Sequence, residues 1–301
     1  MNFLSDKRIR VESSKKFNLD SFQSKLSLDI DKKAGRIHLE ELNLQLQELQ
    51  DKLYAQDRYS LLIIFQAMDA AGKDGTIKTV FSGINPQGCH VVSFKKPTAQ
   101  ELDHDFMWRC YKELPERGRM GIFNRSYYEE VLVTKVHPEY ILGQRIPGIQ
   151  SLKDINSGFW EQRYKTIRDF ESHLIHNGTI VLKFFLNVSR DTQKERFLER
   201  IETPEKNWKF SYLDLQERKH WDDYRAAYSD LIRNTSTLEA PWYIVPADSN
   251  WSRNLIVSSI IAETLDLLGL SYPKIEKETM ELLLKGKAEL LNEKPTNSSR
   301  K

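Results

Sequence analysis

The stretch Gln66-Ala67-Met68-Asp69-Ala70-Ala71-Gly72-Lys73-Asp74-Gly75-Thr76 joins an apolar run to a small-residue turn, a Gly-Lys pair and a helical pattern. That order suits phosphate binding. Small residues let backbone N–H groups approach phosphate oxygens, a helix N-terminus adds partial positive charge, and the lysine reaches the outer phosphates. Ala70, Ala71, Gly72, Lys73, Asp74, Gly75 and Thr76 are the phosphate-binding candidates. The stretch departs twice from G-x-x-x-x-G-K-[ST]: Ala67 stands at the first glycine, and Asp74 at the hydroxyl residue that would ligate Mg²⁺. Asp69 is an acid in a loop suited to anions, and it repels phosphate unless a metal or a proton offsets it. It reads as a metal ligand or as the group that orients an attacking phosphate. A ligand-free strand–helix turn is the plain alternative, against which stand the preceding strand and the loop aspartate.

A second apolar run ends in Phe123-Asn124-Arg125-Ser126-Tyr127-Tyr128-Glu129-Glu130. In open α/β sheets ligands sit at the carboxyl ends of strands. Asn124 and Arg125 fall at such an end, where an arginine offers phosphate a planar fork of donors. Glu129 follows in the first turns of the next helical segment as a second carboxylate for the same cleft. The competing reading is a surface Arg125–Glu129 pair, with Glu130 on a solvated face. Lys95 and Lys96 follow another strand end and suit a polyanion. Asp103, His104 and Asp105 invite a metal reading, but they lie in an expected helix, Ala99–Leu114, on which adjacent side chains point apart. Asp103 and Asp105 are instead expected to shape the acceptor side of the cleft.

Residues 190–219 hold eight basic and seven acidic side chains, so any role there rests on placement. Arg196 and Arg200, four apart, share a helical face. Pro204 and Trp208-Lys209-Phe210 suggest a mobile connection between helices. A lid over about 190–234 that carries cations onto transferring phosphates fits, with an ordinary solvated helical hairpin as the alternative.

The elements that must position these residues follow from hydrophobic patterning. Five short apolar runs, Ser60–Gln66, His90–Lys95, Met120–Phe123, Thr179–Val188 and Trp242–Val245, alternate with helical stretches. Runs nearly free of charge suit strands buried on both faces, and their alternation with helices predicts a parallel sheet between helical layers. Leu42, Leu44, Leu46, Leu49 and Leu53 predict a helix of about 15 residues from Leu39; Ser151–His176, Leu213–Asn234, Asn254–Leu270 and the charged Lys274–Glu293 read as further helices. Residues 1–38 read as an N-terminal arm, 39–270 as the P-loop domain, and 271–301 as a charged helix with a polar tail from Lys294. The 301-residue chain carries a net charge of only +2, which argues against a nucleic-acid binder. Cys89 and Cys110 have neither disulfide-framework nor metal spacing, no apolar run suits a membrane span, and charges follow Met1–Leu4; the expectation is a cytoplasmic protein.

The set Met68–Thr76, Asn85-Pro86-Gln87-Gly88, Leu102-Asp103-His104-Asp105, Phe123-Asn124-Arg125-Ser126 and Asn207-Trp208-Lys209-Phe210 resembles polyphosphate kinase family 2. It is most similar to the subgroup, class III, that phosphorylates nucleoside mono- and diphosphates. The likeness covers roughly residues 39–270. It implies an α/β P-loop kinase-like three-layer sandwich, a five-stranded parallel sheet flanked by helices, with a helical lid. It further implies Mg²⁺ (with Mn²⁺ as the other candidate), inorganic polyphosphate as donor, AMP, ADP and guanine nucleotides as acceptors, no nucleic acid or membrane partner, and a homo-oligomer. By resemblance, Asp69, Lys73, Arg125 and Glu129 are the catalytic candidates, with Asp69 and Glu129 on the metal. Lys95, Lys96, Arg196, Arg200 and Lys209 join the polyphosphate set, and Asp103, Asn124 and Arg125 the nucleotide set. Asn124 stands where subgroups that prefer diphosphates carry Asp, which favours class III. An ATP-dependent nucleoside monophosphate kinase and a non-catalytic nucleotide-binding protein are the competing functions.

Overall fold

The structure, a computed structural model, describes residues 2–12 and 17–293; the polar tail expected from Lys294 lies outside them. Strands β1 (Arg10–Val11), β2 (Ser60–Ala67), β3 (Cys89–Ser93), β4 (Met120–Asn124), β5 (Thr179–Asn187) and β6 (Trp242–Pro246) form one sheet in the order β1-β6-β5-β2-β4-β3. The five expected strands pair in parallel. The sixth, β1, is antiparallel to β6, with Arg10 opposite Tyr243 and Val11 opposite Trp242. The sheet therefore has six strands, not five. A two-residue strand carries no periodicity, so only its pairing reveals it.

Every residue of central β2 is buried, as its unbroken apolar run requires. Helices Lys32–Gln56, Lys73–Val80 and Asn250–Asp266 pack together over one face, and Ser157–His176 and Trp221–Thr235 over the other. Thirteen residues of Asn250–Asp266 are buried because the helix lies between the sheet and Lys32–Gln56.

The first long helix starts at Lys32, inside the expected arm, where the Asp31 carboxylate accepts from the Ala34 amide at 2.8 Å. Leu39, Leu42, Leu46, Leu49 and Leu53 form its buried stripe, while Leu44, two residues off that spacing, is exposed. The preceding segment is a packed strap. Phe3, Ile9, Val11, Phe17 and Leu19 are buried, and the Asn187 amide donates to the Phe22 carbonyl at 3.0 Å. The helix expected over Ala99–Leu114 is two single turns, Ala99–Leu102 and Trp108–Tyr111. Trp221–Thr235, assigned to the lid from the sequence, buries Ala227, Tyr228, Leu231 and Ile232 in the core.

Within β5, Lys183 is fully buried, a charge that the apolar run conceals. Its ammonium donates to Glu171 at 2.6 Å and to the Thr235 carbonyl at 2.8 Å, while Tyr127 and Tyr128 donate to the same carboxylate. Burial pulls the Lys183 pKa down and Glu171 opposes that shift. Lys183→Met leaves the Glu171 carboxylate buried without its counter-charge and is expected to cost about 3–5 kcal/mol. A urea midpoint unchanged from the wild type would contradict this.

Candidate active site

The phosphate-loop candidates lie between β2 and helix Lys73–Val80. Ala70 (φ 57°) and Gly72 (φ 99°) are both left-handed, which turns the chain sharply into the helix. Ala67, the departure from glycine, is not among the positive-φ residues: it ends β2. The loop carbonyls are held from behind. Arg196 donates to Ala70 and Ala71 oxygens at 3.0 and 2.9 Å and to the Ala247 oxygen at 2.7 Å; Arg253 donates to the Ala71 oxygen at 3.0 Å. With carbonyls engaged on the protein side, the loop suits an anion on the other. The Lys73 ammonium donates to the Ala67 carbonyl at 3.1 Å. Burial, and then Arg125, lower its pKa, while Asp69 and Glu129 oppose that shift.

Two cavities meet at this loop. One, of about 650 Å³, runs over it and is lined by nine lysines and arginines against Asp69, Asp74 and Glu199, a balance that suits a polyanion rather than a neutral ligand. The other, of about 540 Å³, is mixed, with Tyr140, Tyr224, Asp214, Glu217 and Arg218 beside Glu129. Asp69, Arg125, Lys95 and Lys96 line both. At the junction the Arg125 guanidinium lies 3.3 Å from Asp69 and 3.8 Å from Glu129. Glu129, then Asp69, raise the Arg125 pKa, and burial raises that of Glu129. Arg125 itself has φ 66°, a left-handed backbone at the point where its side chain must turn back over the strand ends.

The structure thus brings Asp69, Lys73, Arg125 and Glu129 together. Arg200 and Lys209 line the basic groove, with Lys209 over the Trp208 ring at 5.0 Å. Other candidates are placed differently. Arg196 lines the groove, but its guanidinium holds loop carbonyls. Thr76 is buried and bonds the Gly72 oxygen at 3.1 Å. Asn124 donates to Asp74 at 2.8 Å on the basic groove, not in the mixed cavity. Asp103 lines neither cavity and pairs with Arg145. His104 stacks on Trp108 at 3.8 Å, and Asp105 accepts from the Met107 amide at 2.9 Å. Glu130, far from a solvated face, is buried against Arg163 at 3.3 Å and Gln144 at 2.6 Å.

Several lining residues were not anticipated. Lys206 carries another groove cation, and Arg109 donates to the Lys95 carbonyl at 2.7 Å, fixing that lysine's backbone. Gln193 donates to the Asp69 carbonyl at 2.8 Å and accepts from Arg218. Arg253, one residue before the expected helix Asn254–Leu270, is a further groove cation and is buried. Burial, and then Arg196, pull its pKa down to about 9.

Among the described residues no three His, Cys, Asp or Glu side chains gather as a metal cluster. A hard divalent cation that takes one or two carboxylates and completes its shell with phosphate oxygens and water suits the Asp69–Glu129 donor set. No helix among the described residues is long and apolar enough to cross a membrane.

The family model described as Polyphosphate kinase 2 matches residues 29–269. The chain is 48% identical over 289 residues to the ADP-polyphosphate phosphotransferase of Rhodopseudomonas palustris, covering 96% of this chain and 99% of that one. It is 43% identical over 280 residues to the AMP/ADP-polyphosphate phosphotransferase of Meiothermus ruber, covering 92% and 99%. The crystal structure of polyphosphate kinase 2 from Arthrobacter aurescens superposes with a TM-score of 0.84 at 36% identity, covering 95% of this chain and 99% of that one.

Proposed function

Because the chain belongs to the polyphosphate kinase 2 family and is a phosphotransferase, we propose that it moves the terminal phosphate of inorganic polyphosphate onto nucleoside mono- and diphosphates, AMP to ADP and ADP to ATP, with guanine nucleotides as further acceptors. The observation that carries this reading is the meeting of a basic groove and a mixed cavity at one Asp69–Arg125 pair. A long polyanion fits the groove, a nucleotide fits the cavity, and their phosphates would face each other at the junction.

The acceptor phosphate is already anionic, so no side-chain nucleophile is needed; the protein must hold two polyanions in line and offset their repulsion. Loop amides and Lys73 would hold the donor's terminal phosphate. Arg125 would bridge donor and acceptor. Arg200 and Lys209 would bring cations from the lid side. Asp69, with Glu129, would hold Mg²⁺ or Mn²⁺, which when bound supplies positive charge to the phosphate oxygens. Asn124 supports the wide acceptor range through the subgroup resemblance. A homo-oligomeric state and a cytoplasmic placement, without membrane or nucleic-acid partners, belong to the same proposal.

The test incubates the protein with AMP, Mg²⁺ and long-chain polyphosphate without ATP, with a parallel run from ADP, and separates nucleotides by chromatography. ADP and then ATP are expected from AMP, and a chelator is expected to stop both. Product from ADP alone would remove AMP from the acceptor range. Activity only with ATP as donor would make it an ordinary nucleoside monophosphate kinase, and binding without product a sensor.

A further inference from the structure

Buried phenols in this protein find partners. Tyr127 and Tyr128 donate to Glu171, Tyr243 donates to the Leu4 carbonyl, and Tyr164 accepts from Lys135. Tyr224, half-buried in the mixed cavity, donates to Glu217 at 2.7 Å. Tyr228 differs. It is 1% exposed, yet its hydroxyl makes no hydrogen bond to another of the described residues. Its ring is held by the core, 4.3 Å from that of Phe185 on β5. The side chain lines the mixed cavity together with Asp69, Arg125 and Glu129, the groups of the junction. The oxygen is not among the sealed, unpartnered polar atoms of the core, so it opens onto the cavity as a donor available to a ligand.

We propose that the Tyr228 hydroxyl donates a hydrogen bond to the terminal phosphate of the acceptor nucleotide and so positions it for attack. This rests on the acceptor reading given above. Two observations select a phosphate over the base or ribose. Tyr228 lines the cavity with Arg125, Glu129 and Asp69 and is close enough for all three charges to act on its phenol, and Arg125 also lines the donor groove, so the ligand atoms there are those nearest the transfer. Burial, then Glu129, raise the phenol far above its ordinary pKa, so the group stays an O–H donor and cannot add a further anion beside the carboxylates. A neutral donor orients the phosphate without adding a cation that would draw charge from the attacking oxygen.

The experiment compares wild type, Tyr228→Phe and Tyr224→Phe in melting temperature without ligand, in the melting shift induced by AMP, and in KM for AMP and for polyphosphate. Because the hydroxyl has no protein partner, Tyr228→Phe is expected to melt at or above the wild type. Its AMP-induced shift should shrink and its KM for AMP rise about tenfold, with KM for polyphosphate unchanged. Tyr224→Phe, which loses the bond to Glu217, should melt lower and so shows what a structural hydroxyl looks like. A Tyr228→Phe protein that melts lower with unchanged KM for AMP overturns the proposal, as does a change confined to polyphosphate. The wild type is measured first. If it makes nothing from AMP, the acceptor reading falls and this proposal with it; if it turns over and Tyr228→Phe matches it, only the role of the hydroxyl falls.

Discussion

Asp69→Asn is expected to lower turnover by roughly 100-fold or more while leaving the melting temperature close to that of the wild type. The side chain keeps its size and loses only its charge. The loop does not depend on that charge for its shape, because the Asp69 carbonyl is fixed by Gln193 at 2.8 Å and the neighbouring carbonyls by Arg196 and Arg253. The ion pair with Arg125 is partly exposed, and such pairs contribute little to stability, about 0–1 kcal/mol. Arg125 also keeps Glu129 at 3.8 Å. What disappears is a carboxylate at the one place where both cavities meet. The sign of the binding effect separates this role from a donor-binding one. Removing an acid from a basic groove makes it more positive, so KM for polyphosphate should stay level or fall while kcat collapses. An Asp69→Asn protein with near-normal kcat would remove Asp69 from the chemistry.

What could be read from the sequence follows what each element needs. The strands buried on both faces were legible because nothing but an apolar run survives there, and the loop because phosphate chemistry demands small residues before Gly72 and Lys73. Elements set by pairing or by long-range contact were not. Strand β1 exists only against β6, and the Ala99–Leu114 stretch breaks into two turns that local pattern does not foretell. Lys183 is tolerated in a central strand because Glu171, Tyr128 and Thr235 surround it from three other elements. Arg196 shows the same limit at the site. Its charge and helical position are plain in the sequence, but the carbonyls that occupy its donors come from the phosphate loop and from residues 247–250. Arg109, Gln193 and Arg253 reach the site from residues remote in sequence from the groups they hold, so no local motif announces them.

The geometry of that loop makes Gly72→Ala the second large effect, one that acts through shape alone. At φ 99° an L-residue is strained by about 1–2 kcal/mol, and the added methyl would lie 2.4 Å from an Arg253 nitrogen and 2.9 Å from its central guanidinium carbon. That guanidinium is not free to swing aside, since it holds the Ala71 carbonyl and the Asn250 side chain at 3.0 and 2.8 Å. Either the loop flattens or Arg253 leaves, and both move the amides proposed to cradle the donor phosphate. A misplacement of about 1 Å at a reacting centre costs about 100-fold, so kcat/KM for polyphosphate is expected to fall on that scale. Gly75→Ala, whose methyl would find its nearest neighbour at 3.9 Å with no unusual φ, should lose far less. Adding Arg253→Ala to Gly72→Ala separates the two causes: it clears the space but leaves the backbone strain and frees the Ala71 carbonyl, so it should restore only part of the loss. Full recovery would assign the defect to the clash alone, and a Gly72→Ala protein that uses polyphosphate as well as the wild type would mean that this loop does not hold the donor.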